Sequence, residues 1–496
     1  MSRNKKIQHR DTSFSASSFS REGRKGAFYI VLLALLLLFA LYTGLKFPYT
    51  YITMEGDNFW VLTWDFWQQK LATLPAFTNW LADFLMQFYS HVWVGVCIHT
   101  LVLGLVGVLA HAVLKDFTLK GKLGGWVAWL ALLPPVLLGF YCTFNLSFQL
   151  QCLFFFGLLK VFLLIPNMKG KFFFSLACVP VGYMLMCLPL LALLLMIHYF
   201  LAYISDKYRI IWNCPLICLV VTPLLYSEQV SFIPFEKRFT YMGCNASPLT
   251  NRYTQNGEYI KKLVCLSNEQ RWEDLLYKEH IRSDAQRGNG IALRYALLAE
   301  SALGTLPENL LDYPITEENQ FLYPHLTDYV AIQFNRLFYL NLGIFDEAFH
   351  HAQEYSNLMP NGSNFSSLRQ LIDYSIEEGE WEITEKFLTV LSHSSCHKNF
   401  IKERRAMMEK AKQHFNKKID LRADNFVGGY PLPVEMLRLE RYYKDSPNRK
   451  KMIDYAICSY ILRGDFNSFM IAINAFDIYK DKELPKAYSI FKDSFK

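Results

Sequence analysis

The chain has 496 residues, 52% of them hydrophobic, and its mean hydropathy of +0.11 is high for a soluble protein. The net charge is +7, but most of that excess belongs to the first 25 residues, so the composition indicates neither a basic folded face nor a nucleic-acid partner. The eleven cysteines include no Cys-x-x-Cys pair and no zinc spacing, so neither a disulfide framework nor a metal site is expected.

The composition changes along the chain, and the change predicts an all-α protein with two halves. Residues 1–26 are basic and rich in serine, and we expect a disordered cytoplasmic tail. Leucine and phenylalanine dominate residues 27–226, which predicts a polytopic membrane helix bundle with a long outer loop at 47–90. Residues 227–260 are rich in turn-forming residues and predict a linker, and residues 261–496 predict a soluble helical domain.

Residues 27–45 form the first predicted span, and the absence of a cleavage signal after them indicates an uncleaved anchor. The apolar block at 172–204 would be a helix of about 50 Å, too long for a bilayer core of about 30 Å, so we expect two short spans that turn near Pro189. The remaining spans are predicted at 92–114, 124–141, 150–166 and 210–226.

The basic loops decide between six and seven spans. They contain the following residues: Lys115, Lys120 and Lys122; Lys169 and Lys171; Lys207 and Arg209. All three loops lie inside only if the N-terminus is cytoplasmic and the long block is split, which gives seven spans. This topology places the protein in a bacterial inner membrane, with the first outer loop and everything after residue 226 in the periplasm.

Few polar residues lie within the spans. No Asp or Glu does, which disfavours an ion-coupled transporter. His99, His111, His198 and Asn213 could line a cavity, but hydrogen bonds between helices are the expected role. Lys160 is expected to extend its amine toward the inner interface.

The first outer loop carries the best candidate for chemistry. It is dense in aromatic residues, as interfacial segments are, and we expect two helices at 57–71 and 77–88 separated by Pro75. Glu55 and Asp57 open the loop. A carboxylate at the interface can deprotonate an acceptor hydroxyl or hold a divalent cation against a lipid phosphate. The alternative is that both acids cap the first helix and face water.

The layout resembles the GT-C class of membrane glycosyltransferases, with a seven-span module and a long first outer loop of two interfacial helices. The segment Glu55-Gly56-Asp57-Asn58-Phe59-Trp60 resembles the acidic segment that opens this loop in oligosaccharyltransferases. The resemblance implies that Asp57 or Glu55 is the catalytic base or metal ligand, with a divalent cation as the cofactor it suggests. It also implies a polyprenyl-phosphate-linked sugar donor. The residues that could contact this substrate are Asp65, Asp83, Gln87, Glu228 and Arg238.

The soluble half contains a degenerate repeat. A small or turn residue is followed two places on by an aromatic residue or leucine. The steps between these positions are 34, 39, 36 and 85 residues, the last near two periods plus an insertion, which is close to the 34-residue tetratricopeptide period. The five marker positions are Trp272, Leu306, Phe345, Trp381 and Phe466. The stretch 340–348 most resembles that family, which implies a helical solenoid that binds a protein or peptide partner.

Two minor sites follow from the cysteines and histidines of this half. Cys244 and Cys265 could form a disulfide if the domain is periplasmic. His393, Cys396 and His397 cluster at a predicted helix end, where loop chemistry is favoured over metal binding.

Two functions are therefore expected. One is a GT-C-like enzyme that transfers a lipid-linked sugar, with the repeats recognising the acceptor or a partner. The other is a non-enzymatic membrane-anchored scaffold whose repeats bind a periplasmic protein.

Overall fold

The structure, a computed structural model, describes residues 14–119, 125–205, 209–225, 252–315, 328–359, 362–414, 448–476, 479 and 482–495. Every regular element in these ranges is helical, as the sequence predicts. The chain divides into two compact units, and the division does not follow the chain order. The first unit contains residues 1–51 and 62–254, and the second, the repeat unit, contains residues 52–61 and 255–496.

The helices of the first unit follow the apolar blocks of the sequence. They are α1 Phe14–Lys46, α2 Pro48–Asp57, α3 Trp64–Leu71, α4 Ala76–Met86, α5 Val92–Leu119, α6 Leu133–Tyr141, α7 Leu146–Leu164, α8 Met168–Leu185, α9 Leu188–Ser205 and α10 Asn213–Leu225. Short 3₁₀ turns occupy Gln87–Ser90, Gly125–Leu132 and Arg209–Trp212. The last six residues of α2 belong to the repeat unit.

Three helical stretches are long and apolar enough to cross a membrane: Gly26–Lys46, Val92–Asp116 and Leu146–Leu164. The first of them exposes large apolar side chains such as Leu33, Leu38 and Leu45. Such exposure is unfavourable in water but ordinary against lipid. The apolar helices at Val127–Tyr141, Leu188–Tyr203 and Asn213–Thr222 are shorter. The structure thus supports a membrane protein.

The apolar block at 172–204 is divided into two helices, as predicted, but the break precedes Pro189. Helix α8 ends at Leu185 and α9 begins at Leu188, so Pro189 lies in the first turn of α9. A proline is tolerated there because the first N–H groups of a helix have no acceptor within it. The Gln151 side chain of α7 accepts a hydrogen bond from the Cys187 N–H at 2.9 Å. This backbone N–H at the break between the two helices therefore has a partner.

Histidines join the helices of the first unit, as expected. His99 of α5 lies 2.8 Å from the Gln149 amide oxygen of α7, and His198 of α9 lies 3.1 Å from the Ser175 hydroxyl of α8. Lys160 does not extend freely toward the interface, because its amine forms an ion pair with Asp116 at 2.7 Å. These polar contacts hold the bundle together.

The repeat unit is a series of helices that pair with their neighbours along the chain. They are α11 Arg252–Asn268, α12 Ile281–Gln286, α13 Gly290–Leu303, α14 Leu306–Asn309, α15 Tyr329–Leu342, α16 Phe345–Asn357, α17 Phe365–Glu378, α18 Trp381–Ser392, α19 Lys398–His414, α20 Arg449–Arg463, α21 Phe466–Ala475 and α22 Lys486–Asp493, with a π-helical turn at Asp274–Lys278. Helix α11 begins inside the segment predicted as a linker. One apolar cluster, which includes the fully buried Leu342, Ala348 and Phe469, runs through these helices.

The repeat marker corresponds to one backbone geometry that occurs five times. At each marker the residue after a helix adopts a left-handed conformation; these residues are Gln270, Gly304, Gly343, Gly379 and Gly464. At Gly343 the N–H donates to the Leu340 carbonyl and the next N–H, of Ile344, donates to the Tyr339 carbonyl. This Schellman motif ends one helix and directs the chain into the next.

Substituting alanine at Gly343 is expected to destabilise the repeat unit by about 2 kcal/mol, against about 1 kcal/mol for Gly304→Ala. Both glycines have nearly the same φ, +76° and +75°, so both variants incur the left-handed strain. Only at Gly343 would the added methyl carbon meet a neighbour, the Asn448 side chain, at 2.6 Å. Urea denaturation of the full chain in detergent measures both changes, and equal losses would contradict the contact with Asn448.

Candidate functional site

The segment 52–61 is built into the repeat unit. The Phe365 N–H donates to the Asn58 carbonyl oxygen at 2.9 Å, and the Phe59 and Phe365 rings lie 5.7 Å apart. Phe59, Trp60 and Val61 are buried. The predicted interfacial helix at 57–71 is therefore wrong at its start, because α2 ends at Asp57 and the next helix begins at Trp64. These aromatics contact protein because the repeat helices offer them a matching apolar surface.

Glu55 is held by two side chains of the repeat helices. Its two carboxylate oxygens accept hydrogen bonds from the two terminal nitrogens of Arg369, each at 2.9 Å. The His397 Nε2 lies 3.2 Å from one of these oxygens, and the His397 Nδ1 lies 2.8 Å from the Ser394 hydroxyl. We call Glu55, Arg369 and His397 the clasp. It joins α2 to α17 and to the start of α19.

The charges of the clasp fix the protonation state of Glu55, which is only 4% exposed. Burial alone would raise its pKa, but the hydrogen bond from His397 and the charge of Arg369 outweigh burial and lower the pKa to about 2. Glu55 is therefore an ionised, fully paired carboxylate. It does not face water as a helix cap.

Asp57, two residues further on, has a different environment. It is half-buried and accepts a hydrogen bond from the Tyr355 hydroxyl of α16. Burial raises its pKa to about 6, against the opposing effects of the Tyr355 hydrogen bond and the charge of Lys261. Asp57 lies on the wall of a cavity and is the more accessible acid of the two. Its raised pKa, caused by burial, also makes it the more basic one.

The cavity lies within the repeat unit and has a volume of about 680 Å³. Its wall is formed by α2, α11, α15, α16, α17, α19 and α20. The aromatic side chains on the wall are Trp272, Tyr329, Phe345, Tyr355 and Tyr374. The amide side chains are Asn268, Gln270, Gln333, Asn341, Gln370 and Asn448. The wall therefore offers a ligand both aromatic surfaces and hydrogen-bonding groups.

Three of the other predicted substrate residues, Asp65, Asp83 and Gln87, have contacts of their own in the first unit. Asp65 is exposed in the first turn of α3, and Asp83 forms an ion pair with Lys70. Gln87 is buried, and its amide donates to the Phe84 carbonyl at 3.2 Å. All three belong to the first unit. Glu228 and Arg238 lie outside the described residues, as does Cys244 of the predicted disulfide.

Glu55 does not fit a divalent cation. Both oxygens of Glu55 already accept from Arg369, which leaves no free carboxylate edge for a metal. Within the described ranges, no three His, Cys, Asp or Glu side chains are placed to share an ion. We therefore derive no step that depends on a metal.

The sequence did not reveal the partners of these acids. Arg369 and His397 are more than 300 residues from Glu55 along the chain, so no local pattern could show the contact. Tyr355 resembles an ordinary core residue of an amphipathic helix. Arg336 of α15 was detectable in principle, because it is a charge within a helix that is otherwise almost entirely apolar or buried.

Comparison with known proteins gives a family but no function. No curated protein matches the chain, and no solved structure matches it. A family model described as "Family of unknown function (DUF6057)" matches residues 24–489, which include both units almost completely. The chain therefore belongs to this family.

Proposed function

We propose that the protein is a non-enzymatic, membrane-anchored binding protein whose repeat unit holds a segment of a soluble partner protein. The observation that carries the proposal is the cavity, whose volume lies within the range of about 300 to 1,000 Å³ that is common for ligand sites. The Ser267 hydroxyl and the Gln370 amide oxygen are buried on its wall without a partner among the residues described. Buried polar atoms are normally hydrogen-bonded, so a ligand that supplies a partner to these two atoms would be favoured.

The chemistry of the wall favours a peptide. A peptide backbone presents N–H donors and carbonyl acceptors in alternation, and an amide side chain can pair with both. Six residues on this wall are asparagine or glutamine. The spacing of the repeat markers and the left-handed residues that end the helices favour a tetratricopeptide-like repeat. Repeats of this class bind peptides on their concave surface.

The topology we propose has seven spans in a bacterial inner membrane, with a cytoplasmic N-terminus and a periplasmic repeat unit. Residues 52–61 directly follow the first span and belong to the repeat unit. The connectivity of the chain therefore favours a single side of the membrane for the first outer loop and the repeat unit. The basic loops between the later spans are expected on the cytoplasmic side, opposite the repeat unit, because positively charged loops favour that side.

A GT-C-like glycosyltransferase is the second candidate, and one observation favours it. Asp57 lines the cavity with a pKa of about 6, which suits a general base near neutral pH. Catalysis would rest on Asp57 without Glu55, because the clasp occupies Glu55. The binding protein therefore accounts for more of the site than the enzyme does.

Photocrosslinking in cells separates the two functions. Benzoylphenylalanine replaces Glu269 or Glu377, exposed residues on the cavity wall, or Glu382 of α18, which is exposed but not on the wall. We expect the same segment of one protein to crosslink at 269 and 377 but not at 382. Crosslinks to a lipid-linked glycan at the wall positions, together with altered glycoconjugates in an Asp57→Asn strain, would instead support the enzyme.

A further inference from the structure

Arg336 is a buried cation on the cavity wall whose partners are all neutral. Its side chain is 1% exposed. Its Nε donates to Gln333 at 3.1 Å, and its terminal nitrogens donate to the Tyr374 hydroxyl at 2.8 Å and to the Asn268 amide oxygen at 2.6 Å. A guanidinium has five N–H groups, so two remain, one on each terminal nitrogen. Within the described ranges no carboxylate lies within ion-pair distance of Arg336.

Lys451 is a second cation of this kind. It lies on the same cavity wall, in α20, and its amine donates to the Asn341 amide oxygen at 3.2 Å. Burial lowers its pKa, with no carboxylate acting in the opposite direction. An anion in the cavity would offset the unfavourable burial of the Arg336 charge and would also be attracted by the half-buried Lys451.

The other charges of the wall have their own partners or are solvated. Arg369 is held by Glu55, and Arg404 pairs with Asp373 through contacts of 2.5 and 3.2 Å. Among the acids, Asp57 accepts from Tyr355, Glu269 contacts Arg271 at 3.1 Å, and Glu377 is exposed. Arg336 and Lys451 are therefore the wall cations that lack a carboxylate in the part of the chain that is described.

We propose that Arg336 and Lys451 bind a carboxylate of an acidic peptide segment in this cavity. The inference rests on the proposed function, since it names the chemistry of the partner. Two remaining N–H groups on two terminal nitrogens match the two oxygens of one carboxylate. A phosphate presents the same kind of oxygen acceptor to a guanidinium, so inorganic phosphate is the competitor that distinguishes the two anions.

Fluorescence anisotropy on the full chain in phosphatidylcholine nanodiscs, at about 150 mM salt, tests the proposal. The probes are fluorescein-labelled hexaglutamate and hexaglutamine, with inorganic phosphate as competitor. We expect hexaglutamate to bind the wild type, and its affinity to fall at least about tenfold in Arg336→Gln and in Lys451→Gln. Lys410→Gln removes an equal charge from an exposed position off the wall and is expected to leave the affinity unchanged.

The folding of Arg336→Gln is checked by its melting temperature, and the half-buried Lys451 provides a variant less prone to misfolding. Equal binding of hexaglutamate and hexaglutamine, insensitive to Lys451→Gln, would overturn the carboxylate site but leave the peptide-binding function standing. Displacement of hexaglutamate by phosphate at lower concentration than by unlabelled peptide would overturn the choice of carboxylate. Binding of neither peptide would overturn the inference, and so would a carboxylate of this same chain that already pairs with Arg336. The crosslinking at positions 269 and 377 tests the proposed function separately from this carboxylate site.

Discussion

The Glu55→Gln variant is expected to lose about 3 kcal/mol of the unfolding free energy of the repeat unit. Glutamine keeps the shape of the side chain but removes the charge that Arg369 and His397 surround. Removing one partner of a buried ion pair leaves the other charge uncompensated, which costs about 3 to 5 kcal/mol. We place the loss at the lower end because the Arg369 side chain is 29% exposed and can recover some hydration.

An exposed ion pair of the same unit provides the matched control. Glu385 pairs with Arg405 at 2.6 Å, with both side chains 46% exposed, and Glu385→Gln is expected to cost less than about 1 kcal/mol. A double-mutant cycle of Glu55→Gln with Arg369→Met isolates the pair, and we expect a coupling energy of at least about 1 kcal/mol. Urea denaturation of the full chain in detergent measures all four proteins. A loss at Glu55 no larger than that at Glu385 would contradict a structural clasp.

The pH dependence of the clasp has a definite sign. The pKa of Glu55 is lowered from 4.5 to about 2 in the folded protein. The ionised carboxylate therefore stabilises the fold above the unfolded pKa, and this stabilisation is lost as the pH falls from about 4.5 toward 2. The shift corresponds to about 3 kcal/mol, which agrees with the loss expected for Glu55→Gln. In that variant this acid-induced loss of stability should be absent.

The elements of the fold were predictable because they depend on local pattern. Apolar runs determined the helices of the first unit, and the repeat marker determined the helix ends at Gly304, Gly343, Gly379 and Gly464. The split of the block at 172–204 followed from bilayer thickness. Its position did not, because Gln151 on another helix stabilises the break at Cys187.

The candidate site was predictable only in part. The loop at 47–90 was identified as unusual because of its acids and aromatics, and Asp57 does lie on a cavity wall. The placement of Glu55 depends on Arg369 and His397, which the fold brings from the far end of the chain. Aromatic density beside a span indicates either a membrane interface or a protein contact, and composition does not distinguish the two.

Glu55 and Asp57 are two residues apart, yet their pKa values move in opposite directions. Both oxygens of Glu55 accept hydrogen bonds from a guanidinium, whereas Asp57 accepts one from the Tyr355 hydroxyl, with the charge of Lys261 as a smaller effect. A hydroxyl stabilises a carboxylate less than a guanidinium does, so burial dominates at Asp57. One acid therefore stabilises the fold when ionised, and the other stabilises it when protonated.

The Asp57→Asn variant is accordingly expected to be more stable than the wild type at pH 7, by up to about 3 kcal/mol, and equally stable near pH 4. The pKa of Asp57 is raised from 3.8 to about 6 in the folded protein. Its contribution to stability is complete below pH 3.8 and is lost as the pH rises through about 6. Asparagine is neutral throughout this range, and its amide oxygen can still accept the Tyr355 hydrogen bond.

Urea denaturation of the full chain in detergent between pH 4 and 8 measures this slope, using the transition that Gly343→Ala shifts as that of the repeat unit. Asp65→Asn makes the same chemical change at an exposed position of α3 and is expected to leave the slope unaltered. If Asp57→Asn keeps the wild-type slope, Asp57 is ionised in the folded protein throughout this range. In that case Asp57 would be neither a protonated acid in the cavity nor a general base with a pKa near 6. A flattened slope with unchanged glycoconjugates would leave Asp57 as a wall residue of the cavity whose charge changes with pH near 6.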